Sequence, residues 1–273
     1  MGIQSFLKAK KGDPDWAFTP DQYFDKEFKI VDASLLELGP NKTEYMVLRQ
    51  SPNERELLAK HIKIDVREGA SLDLTIINDA FDKLQQVFIY DIILRDGATL
   101  NMGMFIKGGK LNKHIFEVTL DDLATFNSYG YIMSRSGGDC EIITKIDHQG
   151  SYSASNQMIS CEAGSKSQTV VHCMSSVAEH SRHTQISMDL ANLITEPGGK
   201  CHSIPESYNV TESARINCIT STDYLDAEKI YYLQTRGMSE IAAREMLIGK
   251  HRGKIIGSTS DPDLVQEIEQ LFD

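Results

Sequence analysis

One recurring motif restricts the fold of this chain more than any other feature: an acidic residue, a glycine and a small residue, followed by the start of a strand. Clear copies lie at residues 68–74 (Glu-Gly-Ala-Ser-Leu-Asp-Leu) and 96–102 (Asp-Gly-Ala-Thr-Leu-Asn-Met), and looser ones at 136–142 and 162–166. Glycine supplies the positive φ that a sharp corner needs. Corners that recur at intervals of about 25 to 40 residues are typical of a coil or an array.

Short runs of alternating apolar and polar residues fill the intervals between these corners. Examples are residues 62–66, 72–76, 88–92 and 142–146. Period-two alternation with many β-branched residues predicts strands with one buried face. We therefore predict a mainly β protein, a right-handed parallel β-helix whose stacked turns share one core. A two-sheet sandwich remains the alternative, because Asp96-Gly97 is a good hairpin signal.

Three regions follow from this pattern. Residues 1–29 are polar, aromatic and interrupted by proline, and are predicted to form an N-terminal arm. The β-helix core is assigned to residues 30–222, with its strands expected to end near Asn209, and a C-terminal helical segment to residues 223–273. The end of a β-helix needs protection, so we expect the amphipathic tail to cover the last turn. Such a cap would oppose open polymerisation.

Capping signals predict three helices in the tail. Asp226 is expected to cap the first, which ends at Gly237, and Ser239 to cap the second, which Gly249 would stop. In the third, Asp261 is the predicted N-cap and Pro262 takes the first helical position.

The composition argues against several partners and compartments. Acidic residues number 39 against 28 basic ones, for a formal charge of −11. Such a chain is repelled by nucleic acid and by anionic lipid. Its N-terminus does not resemble a signal peptide, and no apolar run reaches the roughly 20 residues that span a bilayer. We therefore expect a cytoplasmic protein whose five cysteines are thiols.

The motifs of common enzymes are missing from the sequence. There is no Gly-x-Ser-x-Gly elbow and no phosphate-binding loop. The prediction is a non-catalytic protein, so that any ATP hydrolysis would occur in a partner. Thiols and imidazoles do cluster late in the chain, at Cys201, His202 and Cys218, and such groups are ligands for iron and zinc. The local spacing does not define a closed metal site, and buried cysteines with solvated histidines are the alternative.

One stretch carries a family resemblance. It runs from Ser203-Ile204-Pro205-Glu206 to an acidic helix start at Leu225-Asp226 and a helix end reading Tyr232-Leu233-Gln234-Thr235-Arg236-Gly237. This order resembles the C-terminal region of the SufB/SufD family, scaffolds of iron–sulfur cluster assembly that work with an ABC-type ATPase, SufC. The resemblance is strongest between residues 193 and 247.

The resemblance implies a scaffold that pairs through its β-helix, either with a second copy or with a SufB/SufD paralogue. It also implies that SufC docks on the helical segment. The residues expected to form that docking surface are Tyr231, Tyr232, Leu233, Arg236, Gly237 and Met238.

The resemblance further implies a transient iron–sulfur cluster and candidate ligands for it. Cys218 falls where SufD-like members have a histidine, and Asp189 falls near the position of an essential cysteine of SufB-like members. Either these two residues are exchanged ligands at a subunit interface, or the chain is a structural platform without cluster chemistry. A β-helix enzyme acting on polysaccharide and a purely structural, self-associating β-helix remain the alternative functions.

Overall fold

Every second strand of this protein pairs in parallel, and this pairing defines its fold. The computed structural model describes residues 30–50, 58–80, 85–209, 211–258 and 262–272; the predicted arm 1–29 and the predicted cap Asp261 lie outside these ranges. Strands β1, β3, β5, β7, β9, β11 and β13 form one parallel sheet, here called the odd sheet. The even-numbered strands β2 to β14 form a second, the even sheet. The strands coil into a β-solenoid of about six turns, which confirms the parallel β-helix and excludes the sandwich.

The bounds of the strands are as follows: β1 Ile30–Leu38, β2 Thr43–Gln50, β3 Leu58–Val66, β4 Ser71–Asp79, β5 Gln85–Leu94, β6 Thr99–Lys107, β7 Leu111–Leu120, β8 Thr125–Ser134, β9 Asp139–His148, β10 Ala154–Ala163, β11 Gln168–Val177, β12 Gln185–Ile194, β13 Lys200–Tyr208 and β14 Arg215–Tyr224. The expectation that strands end near Asn209 was therefore wrong, because β14 follows. Its sequence, Arg-Ile-Asn-Cys-Ile-Thr-Ser-Thr-Asp-Tyr, alternates too weakly to predict a strand.

A row of amides on the outer face of the even sheet shows the length of one turn. Asn101 donates to Asp73, 28 residues earlier, and Asn127 donates to Asn101, 26 residues earlier. Asn156 continues the row by donating to Asn127, 29 residues earlier. Successive turns therefore stack in register, at the spacing that the corner motif predicts.

The two clear copies of the motif form stacked corners between the odd and even sheets. Gly69 and Gly97 have φ of 64° and 66°, and the Gly69 amide donates to the Asp96 carbonyl at 2.9 Å. Asp96-Gly97 thus joins strands of different sheets and is not a hairpin. The looser copies at 136–142 and 162–166 lie at the opposite corner of the coil, before β9 and β11.

Side chains from both sheets fill the coil and make one continuous core. Aromatic rings stack between turns inside it: the centroids of Tyr90 and Phe116 lie 4.5 Å apart, and those of Phe88 and His114 lie 4.8 Å apart. Residues at the intervening positions of each strand point outward. This alternation decides which candidate ligands reach the interior.

Three helices follow the strands in the described chain: α1 (Ala227–Thr235), α2 (Glu240–Ile256) and α3 (Pro262–Phe272). Asp226 and Ser239 cap α1 and α2 as predicted, and Gly237 has the expected positive φ of 91°. The prediction that Gly249 ends the second helix was wrong. α2 continues to Ile256 because Ile255 and Ile256, beyond the glycine, are buried against the even sheet.

The tail packs on the side of the coil. Ile255 and Ile256 of α2, with Leu264, Ile268 and Phe272 of α3, contact outward-facing residues of the even sheet, among them Ile77, Phe105 and Tyr131. The expected cap over the last turn is therefore wrong, and so is the argument that the tail blocks that end. A helix can bury its apolar face on either surface, and here outward-facing apolar residues of the even sheet receive it.

Candidate functional site

The last turn of the coil is open. All ten residues of β14 are exposed, and β13 is only partly buried. These strands are the edges of the even and odd sheets, so each presents unpaired backbone groups at this end. The surface formed by β13 and β14 is called the open end below.

Cys218 lies at the inner side of the open end. It pairs in register with Met188 of β12, a core residue, so that its side chain points towards the interior. Partial burial raises the pKa of the Cys218 thiol. It is the exposed cysteine of the chain, whereas Cys140, Cys161, Cys173 and Cys201 are buried.

All five cysteines are free thiols, as expected. Burial raises the pKa of both Cys173 and Cys201 to about 12. Since the thiolate is the form that binds metals and reacts, the buried thiols are poor ligands in the closed coil. Cys218 is the thiol best placed to meet a partner.

The other predicted ligands point elsewhere. Asp189 pairs in register with Ile219 and lies on the outer face of the even sheet, opposite to the face that carries Cys218. Its carboxylate accepts a hydrogen bond from Lys254 of α2 at 2.7 Å. Cys201 is buried, whereas its neighbour His202 is exposed on the other face of β13. Within one chain, the fold therefore places Cys218 and Asp189 on opposite faces, and likewise Cys201 and His202.

No complete metal site is present within the described ranges. Among those residues, no group of three or more His, Cys, Asp or Glu side chains is arranged to hold an ion.

A buried polar cluster, not predicted from the sequence, fixes the tail on the even sheet. Glu162 of β10 is 1% exposed. It accepts hydrogen bonds from Tyr131 and, at 3.3 Å, from Arg135, and its carboxylate lies 3.5 Å from Arg252 of α2. Burial, followed by the charge of Glu162, raises the pKa of Tyr131 well above its ordinary value. Glu162 and Arg252 are far in sequence from each other and from Tyr131 and Arg135, and no motif links them.

A second polar group lies on the outer face of the odd sheet near the open end. His172 Nε2 lies 2.8 Å from the carboxylate of Glu206, which also accepts a hydrogen bond from Tyr208. The bond from Tyr208 and then that from His172 lower the pKa of Glu206. Glu206 belongs to the Ser-Ile-Pro-Glu stretch, with which the family resemblance begins, but its contact with His172 follows only from the pairing of β11 with β13.

The predicted docking residues form an exposed surface on α1 and the turn after it. Tyr231 and Tyr232 are 68% and 56% exposed. The Arg236 guanidinium lies 5.2 Å from the centre of the Tyr232 ring and donates to its hydroxyl at 3.0 Å. Leu233 and Met238 are half-buried, and Ile230 is the buried residue of α1. The helix therefore presents most of its aromatic surface to solvent.

The fold and the open end define a class, that of parallel β-solenoids with a helical tail on one side and an exposed terminal turn. Within it, residues 25–250 match the family model described as "SUF system FeS cluster assembly, SufBD core domain". The chain belongs to this family, which confirms the resemblance seen in the sequence.

Two relatives illustrate the relationship. Iron-sulfur cluster assembly protein SufD of Escherichia coli (strain K12) is 22% identical over 209 residues, which cover 76% of this chain and 49% of that protein. An iron-sulfur cluster assembly SufBD family protein of Synechocystis sp. (strain ATCC 27184 / PCC 6803 / Kazusa) is 23% identical over 152 residues, which cover 55% of this chain and 33% of that protein. The matches thus span half or less of each relative's length. Of the helices in the described chain, none combines the length and apolar composition needed to cross a bilayer.

Proposed function

We propose that this chain is a non-catalytic scaffold subunit of an iron–sulfur cluster assembly system. Family membership points to that process, and the observation that carries the proposal is the open end. Ten exposed residues in the edge strand β14 form a surface that a second chain could extend. In this proposal ATP hydrolysis belongs to a partner, and the protein acts in the cytoplasm.

The proposed pairing brings a second β-helix, from a copy of this chain or a SufB/SufD paralogue, against the open end. Cys218 then lies near the junction, with its side chain on the inner side of the sheet. The iron–sulfur cluster is cargo held between the two chains, with Cys218 as the thiolate ligand from this one. The other candidate ligands are less well placed. Cys201 is buried, and His202 lies on the other face of β13. Asp189 is turned away from Cys218 and already accepts a hydrogen bond from Lys254.

The proposed docking site for the SufC-like ABC ATPase is the surface of α1 formed by Tyr231, Tyr232, Leu233, Arg236, Gly237 and Met238. Exposed aromatic and arginine side chains are enriched at protein interfaces. Arg236 and Tyr232 already contact each other, so less side-chain freedom is lost on binding.

Anaerobic co-purification of the full tagged chain from its own cytosol tests the scaffold role, with mass spectrometry and an iron assay on the eluate. We expect an ABC-type ATPase together with iron. The double variant Tyr232→Ala/Arg236→Ala should lose the ATPase. Tyr152→Ala, which removes a tyrosine of similar exposure (59%) from a corner of the coil, should retain it. Retention of the ATPase by the double variant would refute the docking site.

Pairing is tested by the molar mass of the purified chain, alone and with its co-purified paralogue. Ile219→Lys places a charge in exposed β14 and should abolish pairing. Leu35→Lys makes the same change at an exposed residue of β1, in the first turn, and should leave pairing intact. Unchanged molar mass in Ile219→Lys would exclude the open end as the interface.

A second candidate function, end-to-end self-association, is favoured by the exposure of residues in both terminal turns. Leu35 of β1 and Tyr45 of β2 are 66% and 51% exposed. If the protein polymerises, both lysine substitutions should shorten the assemblies, and mass should grow with concentration without a fixed limit.

A further inference from the structure

A small cavity of about 200 Å³ lies between α2 and the outer face of the even sheet, beside the open end. One row of the strand register forms its floor: Ser160 of β10, Ala191 of β12 and Ser221 of β14 are partners on adjacent strands. All three side chains are small, so the helix above them leaves a space. Pockets for drug-sized molecules are roughly 300–1,000 Å³, so this cavity suits a smaller ligand.

Two acidic residues flank this floor, and each faces a basic residue of α2. Asp189 lies on one side, and its carboxylate accepts a hydrogen bond from Lys254 at 2.7 Å. Asp223 lies on the other side, with Oδ2 3.6 Å from His251 Nε2. That separation is too long for a hydrogen bond. Burial also lowers the pKa of His251, which leaves the imidazole neutral near pH 7. The charge of Asp223 is therefore not balanced by His251.

The cavity also presents a cation and a hydroxyl that have no partner within the described ranges. Lys250 of α2 lines the cavity and forms no ion pair with a described residue. After burial, the largest effects on the pKa of His251 come from Asp223, which raises it, and from Lys250, which lowers it. Both charges therefore lie near the same imidazole. Ser160 is 3% exposed, and its hydroxyl has no hydrogen-bond partner among these residues, although a buried hydroxyl normally has one.

These groups favour one class of ligand by their charges. An anion would be attracted by Lys250 but repelled by Asp223, and a cation would meet the reverse conflict. A small zwitterion satisfies both charges, and its carboxylate can also accept a hydrogen bond from Ser160. Part of the remaining wall is apolar, because Met158 and Ile255 line it. Such a wall suits a short aliphatic side chain.

We propose that this cavity binds a small α-amino acid, with its carboxylate on Lys250 and Ser160 and its ammonium group on Asp223. The ligand lies on the outer face of the even sheet and is thus separate from Cys218, whose side chain points into the coil. All the groups that hold it belong to one chain. Binding therefore requires neither a pairing partner nor an ATPase, and the purified chain suffices for the test.

Thermal denaturation of the full chain at neutral pH and fixed ionic strength tests the proposal. L-alanine, glycine and L-serine are added separately at millimolar concentrations. We expect at least one of them to raise the Tm by a few degrees, because a ligand that binds only the folded state stabilises it. Acetate and methylammonium added together carry the same two charges on separate molecules and should raise the Tm much less.

Three variants locate the effect. Lys250→Ala should lose most of the increase in Tm that the amino acid causes. Lys229→Ala is the matched control, because Lys229 of α1 also acts on the pKa of His251 but does not line the cavity; it should keep the increase. Ser160→Ala should leave the Tm without ligand nearly unchanged and reduce the increase. Equal increases in the two lysine variants would overturn the proposal, as would no increase with any of the three amino acids.

Discussion

Lys254 of α2 donates a hydrogen bond to Asp189 of β12, with Nζ 2.7 Å from Oδ2. This pair ties the helical tail to the strand beside the open end. It also engages the carboxylate that the family resemblance assigns near a ligand position. The side chains are 58% and 37% exposed, so solvent screens their attraction.

The Lys254–Asp189 pair should therefore add little stability. Lys254→Ala and Asp189→Ala are each expected to lower the free energy of unfolding by about 0.2–1 kcal/mol, measured by urea titration. The double variant should lose less than the sum of the two. Asp189→Ala should leave the iron content of the purified complex unchanged; a loss of iron would restore Asp189 as a ligand.

Glu162 should matter far more, because it is buried with Tyr131 and Arg252. Glu162→Ala leaves the Arg252 charge without its carboxylate in a dry site, which typically costs about 3–5 kcal/mol. Glu162→Gln keeps the size of the side chain and should cost less. As a control, Glu179→Ala removes an exposed acid and should change stability by under about 0.5 kcal/mol. Equal urea midpoints for Glu162→Ala and Glu179→Ala would contradict the assigned role.

His148 should make the fold sensitive to acid. It is buried between the hydroxyls of Ser153 and Ser155, at 2.8 and 3.0 Å, and burial lowers its pKa to about 4. In the unfolded chain the imidazole of His148 takes up a proton near pH 6.5, whereas in the folded chain it stays neutral at that pH. The contribution of His148 to stability is thus fully present above about pH 6.5 and is lost as the pH falls towards 4.

The size of this loss is on the order of 3 kcal/mol for His148, at roughly 1.4 kcal/mol per unit of pKa difference. The urea midpoint should therefore fall between pH 6.5 and 4.5 with a slope that His148→Gln reduces. His202→Gln, at an exposed position, is the control. An unchanged slope in His148→Gln would argue against a neutral buried imidazole.

Replacing a glycine with alanine should lower stability at one position and raise it at another. Gly97 has a φ of 66° at a stacked corner, so Gly97→Ala is expected to cost about 1–2 kcal/mol. Gly249 is exposed within α2, and an added Cβ there meets no atom within 4 Å. Gly249→Ala should therefore stabilise the protein by about 0.5–1 kcal/mol. Thermal denaturation of both variants checks the signs, and stabilisation by Gly97→Ala would contradict the corner geometry.

Thiol labelling should distinguish Cys218 from the other cysteines. Iodoacetamide is expected to modify Cys218 in the folded protein, and the four buried thiols only after unfolding, as read by mass spectrometry. Addition of the pairing partner should protect Cys218. Rapid labelling of Cys173 in the folded chain would mean that the coil opens more readily than its packing indicates.

The repeated corners were predictable because their cause is local. Gly69 and Gly97 need a positive φ, and alternating strands need one buried face; both signals can be read from a few neighbouring residues. The caps Asp226 and Ser239 are local in the same sense. The strand β14 was not predictable, because its alternation is weak and it forms by pairing with β12.

The sequence by itself determined the parallel coil, the helical tail and the family, since these depend on short-range patterns and on a continuous motif. Only the tertiary structure decided where the tail lies and which side chains meet. The apolar face of α2 and α3 could cover either the last turn or the side of the even sheet, and packing against Phe105 and Tyr131 selected the side. The strand register placed Cys218 and Asp189 on opposite faces, because Cys218 pairs with Met188, the residue before Asp189, and successive residues of a strand point in opposite directions.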